Sequence, residues 1–171
     1  MERTKAWISK YGESWFYTCN RWPDVYVDFF KWITHLGGAR ITISLQLVLF
    51  FFAPPSFQPA IIASGLALAV SHVIMAAIKK TVRRIRPYIA LPDAKVHGHL
   101  FKDHSFPSGH STAIFSLLVP YMVYSPGLIP VLFPAACLVA FSRVVLGVHY
   151  PSDVFAGALL GSVTAIAFCS L

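Results

Sequence analysis

Acidic side chains are scarce in this sequence. Its 171 residues include 7 Asp and Glu beside 14 Lys and Arg, and charged residues of both signs make up only 12%, where soluble domains carry about 25%. So little charge beside a 56% hydrophobic fraction excludes a disordered chain and an ordinary water-soluble domain. Cysteine is nearly absent too. Cys19, Cys137 and Cys169 have no metal-ligand spacing and no obvious pairing, so they indicate no metal site and say nothing of compartment. Internal repeats and low-complexity segments are missing. The N-terminal residues lack the basic, apolar, small-residue plan of a cleavable signal peptide and are expected to stay in the mature protein. Length alone points to a single domain.

The charges that are present are confined. All of them fall in residues 1–40, in residues 79–103, or on Arg143 and Asp153. A formal charge of +7 on a soluble chain suggests a nucleic-acid partner, but this distribution leaves residues 41–78, 104–142 and 154–171 free of Lys, Arg, Asp and Glu. Such runs suit a bilayer core, at about 20 residues per helix. Ala53-Pro54-Pro55-Ser56 breaks the first run and Ser125-Pro126-Gly127 the second. The pattern predicts an all-α, polytopic membrane helix bundle with five spans at about 38–52, 57–78, 111–124, 128–146 and 152–171. Residues 5–34 hold all four tryptophans, among them Trp7 and Trp15, interleaved with Lys10, Arg21, Asp24, Asp28 and Lys31. That composition predicts an amphipathic helix in the headgroup layer. The expected division is therefore an interfacial segment over 1–36 and a transmembrane catalytic core over 37–171.

Three short motifs carry chemistry. Lys79-Lys80-Thr81-Val82-Arg83-Arg84-Ile85-Arg86-Pro87 follows the second span; if the helix continues, Lys79 and Arg86 lie two turns apart on one face. Taken alone, this cluster fits a basic flank that snorkels to lipid headgroups. Phe106-Pro107-Ser108-Gly109-His110-Ser111-Thr112 opens the third span. A helix start there offers free N–H groups and a positive dipole end to an anion. Gly109 permits close backbone approach, Ser108 adds a hydroxyl, and His110 can exchange a proton near neutral pH. Finally, Ser142-Arg143 ends the fourth span, and His149-Tyr150-Pro151-Ser152-Asp153 begins the fifth. A cation at the edge of an apolar run wants an anion. His149 and Asp153 are spaced for a carboxylate to orient an imidazole, leaving its other nitrogen nucleophilic; a purely structural His–Asp pair has the same spacing.

Counting spans, all three motifs emerge at one membrane surface. Three cations and backbone donors suit the equatorial oxygens of a phosphoryl group in transfer. Only Asp153, with Asp93 or Asp103, is at hand to hold metal ions, so metal-free transfer through a phosphohistidine is the economical reading.

Lys79-x6-Arg86-Pro87, Pro107-Ser108-Gly109-His110 and Ser142-Arg143-x5-His149-x3-Asp153 together resemble the three-part signature of the type 2 phosphatidic acid phosphatase (PAP2) family of integral membrane lipid phosphatases. The resemblance covers roughly residues 57–171. It implies that Lys79, Arg86, Arg143, Ser108 and the Gly109 backbone bind phosphate, that His149 is phosphorylated, that Asp153 orients it, and that His110 protonates the leaving alkoxide. No metal or other cofactor is implied. The expected partners are a lipid phosphate and the surrounding membrane lipids, with no nucleic acid and no obligate protein. Phosphatidylglycerophosphate, undecaprenyl pyrophosphate, phosphatidic acid and lipid A phosphates all fit as substrates, with His97, His99, Lys95 and Lys102 as candidate graders of headgroup charge or as a solvated loop. A headgroup-binding or transport protein without hydrolysis, and a phosphatase of the same fold acting on a soluble ester, are the alternatives; the paired repeats usual in transporters are missing.

The departure from the family lies in its usual six spans, of which the first is here absent or replaced by the aromatic segment. Orientation follows two conflicting guides. Family habit puts the catalytic face outside, whereas the basic residues all lie on the catalytic side, which the positive-inside rule places in the cytoplasm. A single cysteine introduced near Gly98, with the three native ones removed, tests this. The charge rule expects no labelling by an impermeant thiol reagent in intact cells, and labelling refutes it.

Overall fold

A computed structural model describes residues 12–171, which contain helices and turns but no strand; Trp7 and Lys10 lie outside the described residues. In chain order the helices are α1 (12–20), α2 (Asp24–Ile33), α3 (Ala39–Phe52), α4 (Gln58–Val82), the single turn α5 (Pro87–Ala90), α6 (Gly109–Tyr124), α7 (Ile129–Val145) and α8 (Pro151–Cys169). The five expected spans correspond to α3, α4, α6, α7 and α8. Prolines start them as anticipated: Pro55, Pro126 and Pro151 each stand in the first turn of a helical segment, where the missing N–H costs nothing.

Three segments, Pro55–Ala90, Pro126–Val145 and Pro151–Cys169, are long and apolar enough to cross a membrane. The pair Asp24–Gly37 and Ala39–Phe52, bent by 49°, reaches that criterion only together. The 16-residue α6 is about 24 Å long, short of a ~30 Å hydrocarbon layer. It is the central helix, packed against α4, α7 and α8, with buried Ser111, Thr112 and Ser116 among its apolar side chains. Ser116 joins α4 through a hydrogen bond between hydroxyls, 2.9 Å from Ser71.

The closest helix contact fixes the catalytic end. A Cβ on Gly157 of α8 would lie 2.5 Å from the carbonyl oxygen of Ser108, and one on Gly161 2.5 Å from that of Thr112. Small residues four apart let two membrane helices approach to backbone contact. This contact holds the start of α6 against α8.

The N-terminal helices pack on that same end. Phe16 is buried against Val144 and Tyr150, and Val27 and Phe30 against Val145, Leu146 and Val148. Asn20 pins the long loop 91–105: its amide donates to the carbonyls of Lys95 and Val145 (2.8 and 3.1 Å), and its oxygen accepts from the Lys95 N–H at 2.8 Å. Trp15, Val25 and Trp32 face outward.

A side chain at Gly157 should push α8 off α6. Gly157→Val is expected to overpack the contact by about 1–3 kcal/mol, lowering the melting temperature in detergent and catalytic rate together. Gly127→Val, where a Cβ meets nothing within 4 Å, should change neither; equal effects of the two substitutions would contradict this account.

Candidate active site

The first motif converges differently from the continuous helix expected. α4 stops at Val82, and Arg83 caps it in the left-handed region at φ 50°. Arg86 is extended (φ −72°, ψ 150°), the conformation favoured before proline. Lys79 and Arg86 thus meet across a turn. Their meeting point is Asp103, which the sequence offered only as a metal carboxylate. Lys79 Nζ lies 2.6 Å from Asp103 Oδ2 and donates to the His104 carbonyl at 2.8 Å. Arg86 donates through Nη2 to Asp103 Oδ1 (2.6 Å), through Nε to the Asp103 carbonyl (2.8 Å), and through Nη1 to the Val148 carbonyl (2.9 Å). Burial alone would raise the Asp103 carboxyl, but Lys79 and Arg86 outweigh it and hold the group down at about 2.

Ser108 caps α6. Its Oγ accepts from the N–H and hydroxyl of Ser111 (3.4 and 3.0 Å), and its own N–H donates to the Asp153 carbonyl at 2.9 Å. The N–H groups of Gly109 and His110, in the first turn, lie before any intrahelical acceptor. His110 stands beside Gly38, whose missing side chain leaves its Cβ position 3.7 Å from the imidazole Nε2.

The third motif supplies the most buried groups. His149 and Asp153 are 2% and 0% exposed. Asp153 Oδ2 lies 3.5 Å from His149 Nδ1 and accepts the Tyr150 N–H at 3.0 Å; on the other side of the ring, Nε2 is 3.3 Å from Arg86 Nη1. Burial pushes the His149 imidazole down to about 4, only partly opposed by Asp153, so the ring is neutral at physiological pH. Arg143 donates through Nη1 to Thr34 Oγ1 at 2.6 Å, while its buried Nε and Nη2 have no partner among the described residues. All eight residues expected at the site come together at this end of the bundle.

Four further residues join them. Arg84 donates to Asp153 Oδ1 (2.6 Å) and Ser152 Oγ (2.7 Å) and lies 4.0 Å over the Tyr150 ring. Thr34 anchors Arg143. Phe101 presents its ring to two guanidiniums, 4.8 Å from Arg86 and 5.3 Å from Arg143. Asp103 is the fourth. Arg84 was visible inside the basic run, but nothing in the sequence linked it to Asp153. Among the described residues, no three His, Cys, Asp or Glu side chains are grouped to hold a metal ion. From Arg143 and His110 a chamber of about 750 Å³ opens between loop 91–105 and the start of α3.

An apolar helix bundle that gathers guanidiniums, an ammonium, a neutral imidazole with its carboxylate and a helix start around one chamber defines a membrane protein built to handle phosphate. The PAP2 superfamily profile matches residues 60–171, and the chain belongs to that superfamily. It is 34% identical over 131 residues to the decaprenylphosphoryl-5-phosphoribose phosphatase of Mycobacterium tuberculosis, covering 76% of this chain and 71% of that one. It is 35% identical over 103 residues to an undecaprenyl-diphosphatase of Sulfolobus acidocaldarius, covering 57% and 50%. The LpxE structure of Aquifex aeolicus superposes with a TM-score of 0.76 at 30% identity over 92% of this chain and 94% of that one. A phosphatidylglycerolphosphate phosphatase of Bacillus subtilis, at 23% identity, shares the fold with a TM-score of 0.78 over 95% and 85%.

The Asp103 carboxylate holds two cations where a phosphate oxygen can compete for them. Removing its charge in Asp103→Asn should lower the inhibition constant for orthovanadate about tenfold, roughly 1.4 kcal/mol. Weaker inhibition would show instead that Asp103 holds Lys79 and Arg86 in place for the anion.

Proposed function

We propose that this membrane lipid phosphatase cleaves a terminal phosphate from a lipid headgroup in two steps, through a phosphohistidine on His149. In the first step His149 Nε2 attacks phosphorus, and the bond to the lipid oxygen breaks. His110 gives the departing alkoxide its proton. In the second step His110 takes a proton from water, which attacks the phosphohistidine, and inorganic phosphate leaves with the His149 nitrogen restored. Arg143, Lys79, Arg86 and the Ser108–Gly109 turn hold the equatorial oxygens, and Asp153 keeps the proton on Nδ1 so that Nε2 presents its lone pair.

The observation that carries this reading is the state of His149 and Arg143. An imidazole kept neutral by burial has a carboxylate on one nitrogen and a guanidinium on the other. Next to it, Arg143 carries two buried nitrogens, Nε and Nη2, that no acceptor among the described residues satisfies. A neutral nucleophile beside unspent positive charge is what attack on an anionic phosphorus needs. The mycobacterial and archaeal relatives act, by their names, on polyprenyl lipids bearing phosphate or diphosphate. We accordingly read the substrate as a phosphomonoester or diphosphate lipid of the undecaprenyl pyrophosphate, phosphatidylglycerophosphate or phosphatidic acid type. The confinement of Lys80, Arg83, Lys95 and Lys102 to the catalytic end supports a cytoplasmic face.

Phosphate release from detergent-solubilised lipid phosphates, in excess chelator, tests the scheme. His149→Ala should reduce turnover to background. Arg143→Lys should lower kcat/KM about 100-fold, because a point charge does not replace a planar fork of donors. Normal turnover by His149→Ala would remove the assigned nucleophile, and loss of wild-type activity in chelator would overturn the metal-free step.

A further inference from the structure

The chamber is far larger than the phosphate it receives, and its far wall has a chemistry that the cleavage step does not use. Beyond Arg143 and His110 it is lined by His35 and Arg40 from the start of α3 and its preceding turn, and by His97 and His99 from loop 91–105. No Asp or Glu lines it among the described residues. Lys31 also reaches the wall but is paired with Asp28 at 2.8 Å. Arg40 forms no ion pair with any described residue, and the buried Nε2 of His97 has no hydrogen-bond partner among them. The loop residues expected to grade headgroup charge are therefore sorted by the fold: His97 and His99 line the chamber, whereas Lys95 and Lys102 are absent from its wall.

We infer that His35, Arg40 and His97 form a second anion subsite, which receives a second phosphate or other anionic group of the substrate lying between the scissile phosphate and the lipid tail. The placement follows from the walls. Arg143 and His110, at the inner end, take the terminal phosphate. Arg40 is the second residue of α3, and Ile41 and Ala39 flank it on the chamber wall, so a group bound here is followed directly by the apolar surface of α3. A basic side chain with no carboxylate partner among the described residues, a buried imidazole nitrogen with no hydrogen-bond partner among them, and an opening toward apolar helix surface are together what a lipid diphosphate or a phosphodiester-linked headgroup phosphate meets. A solvated basic rim lacks the buried, unsatisfied nitrogen. This inference rests on the phosphatase reading and names the substrate class of that same site.

The test compares two lipids with the same tails, diacylglycerol pyrophosphate and phosphatidic acid, with purified full-length protein in neutral detergent. The wild type should prefer the diphosphate. Arg40→Gln combined with His97→Gln should lower kcat/KM on the diphosphate about tenfold, mostly through KM, and leave phosphatidic acid within twofold. An equal loss on both lipids, or no loss on either, overturns the subsite. Thermal stabilisation by methylenediphosphonate and by inorganic phosphate reads the same pocket without turnover. A preference for the diphosphonate that disappears in the double variant supports the subsite, and equal stabilisation in wild type and variant refutes it. Should the wild type hydrolyse neither lipid, the phosphatase reading fails while the diphosphonate result still decides the subsite.

Discussion

Positive charge in excess of carboxylate, gathered at one end of the bundle, organises this protein. Four cations, Lys79, Arg84, Arg86 and Arg143, face two carboxylates, Asp103 and Asp153. Arg143, 3% exposed, receives from the described residues only a threonine hydroxyl and the face of a phenylalanine ring. A buried guanidinium so poorly matched destabilises the empty protein by an amount that an anion can return. Burial depresses the basicity of His149, the charges of Arg143 and Arg86 add to it, and its lone pair stays available. Affinity for phosphate thus comes from the unmatched charge, and readiness of the nucleophile mainly from its burial.

Holding like charges together demands rigid support, and the fold supplies it at helix ends. Lys79 lies in the last turn of α4, Arg143 in the last turn of α7, and Asp153 in the first turn of α8, while Ser108 caps α6. The glycine contact between α6 and α8 brings two of these ends to backbone distance. α1 and α2 close the remaining side, with Thr34 and Asn20 reaching across to Arg143 and to loop 91–105.

The spans were legible because the absence of charge over whole segments is a local property, and the paired prolines at 54 and 55 mark their own break. The eight motif residues were legible for a different reason: their types and spacings state a chemistry without needing contacts. Thr34, Arg84, Phe101 and Asp103 were not, since each acts through a neighbour distant in the chain. Arg84 meets Asp153 across 69 residues and Thr34 meets Arg143 across 109, and no periodicity announces such pairs. The helical continuation assumed between Lys79 and Arg86 failed because the residue before Pro87 favours extended backbone. The count of five spans was too high: among the described residues three segments are long and apolar enough to cross, or four with the bent pair, and the 16-residue α6 is packed between α4, α7 and α8 instead.

All of the polar machinery sits where α4 and α7 end and where α6 and α8 begin, and the turns at the opposite end, residues 53–57 and 125–128, hold no charged side chain. Orthophosphate therefore departs into the same aqueous compartment that the headgroup faced, and the dephosphorylated alcohol stays in the leaflet that delivered it. Each turnover draws on one monolayer's pool alone. Lipid in the other monolayer reaches this site only by crossing the bilayer first.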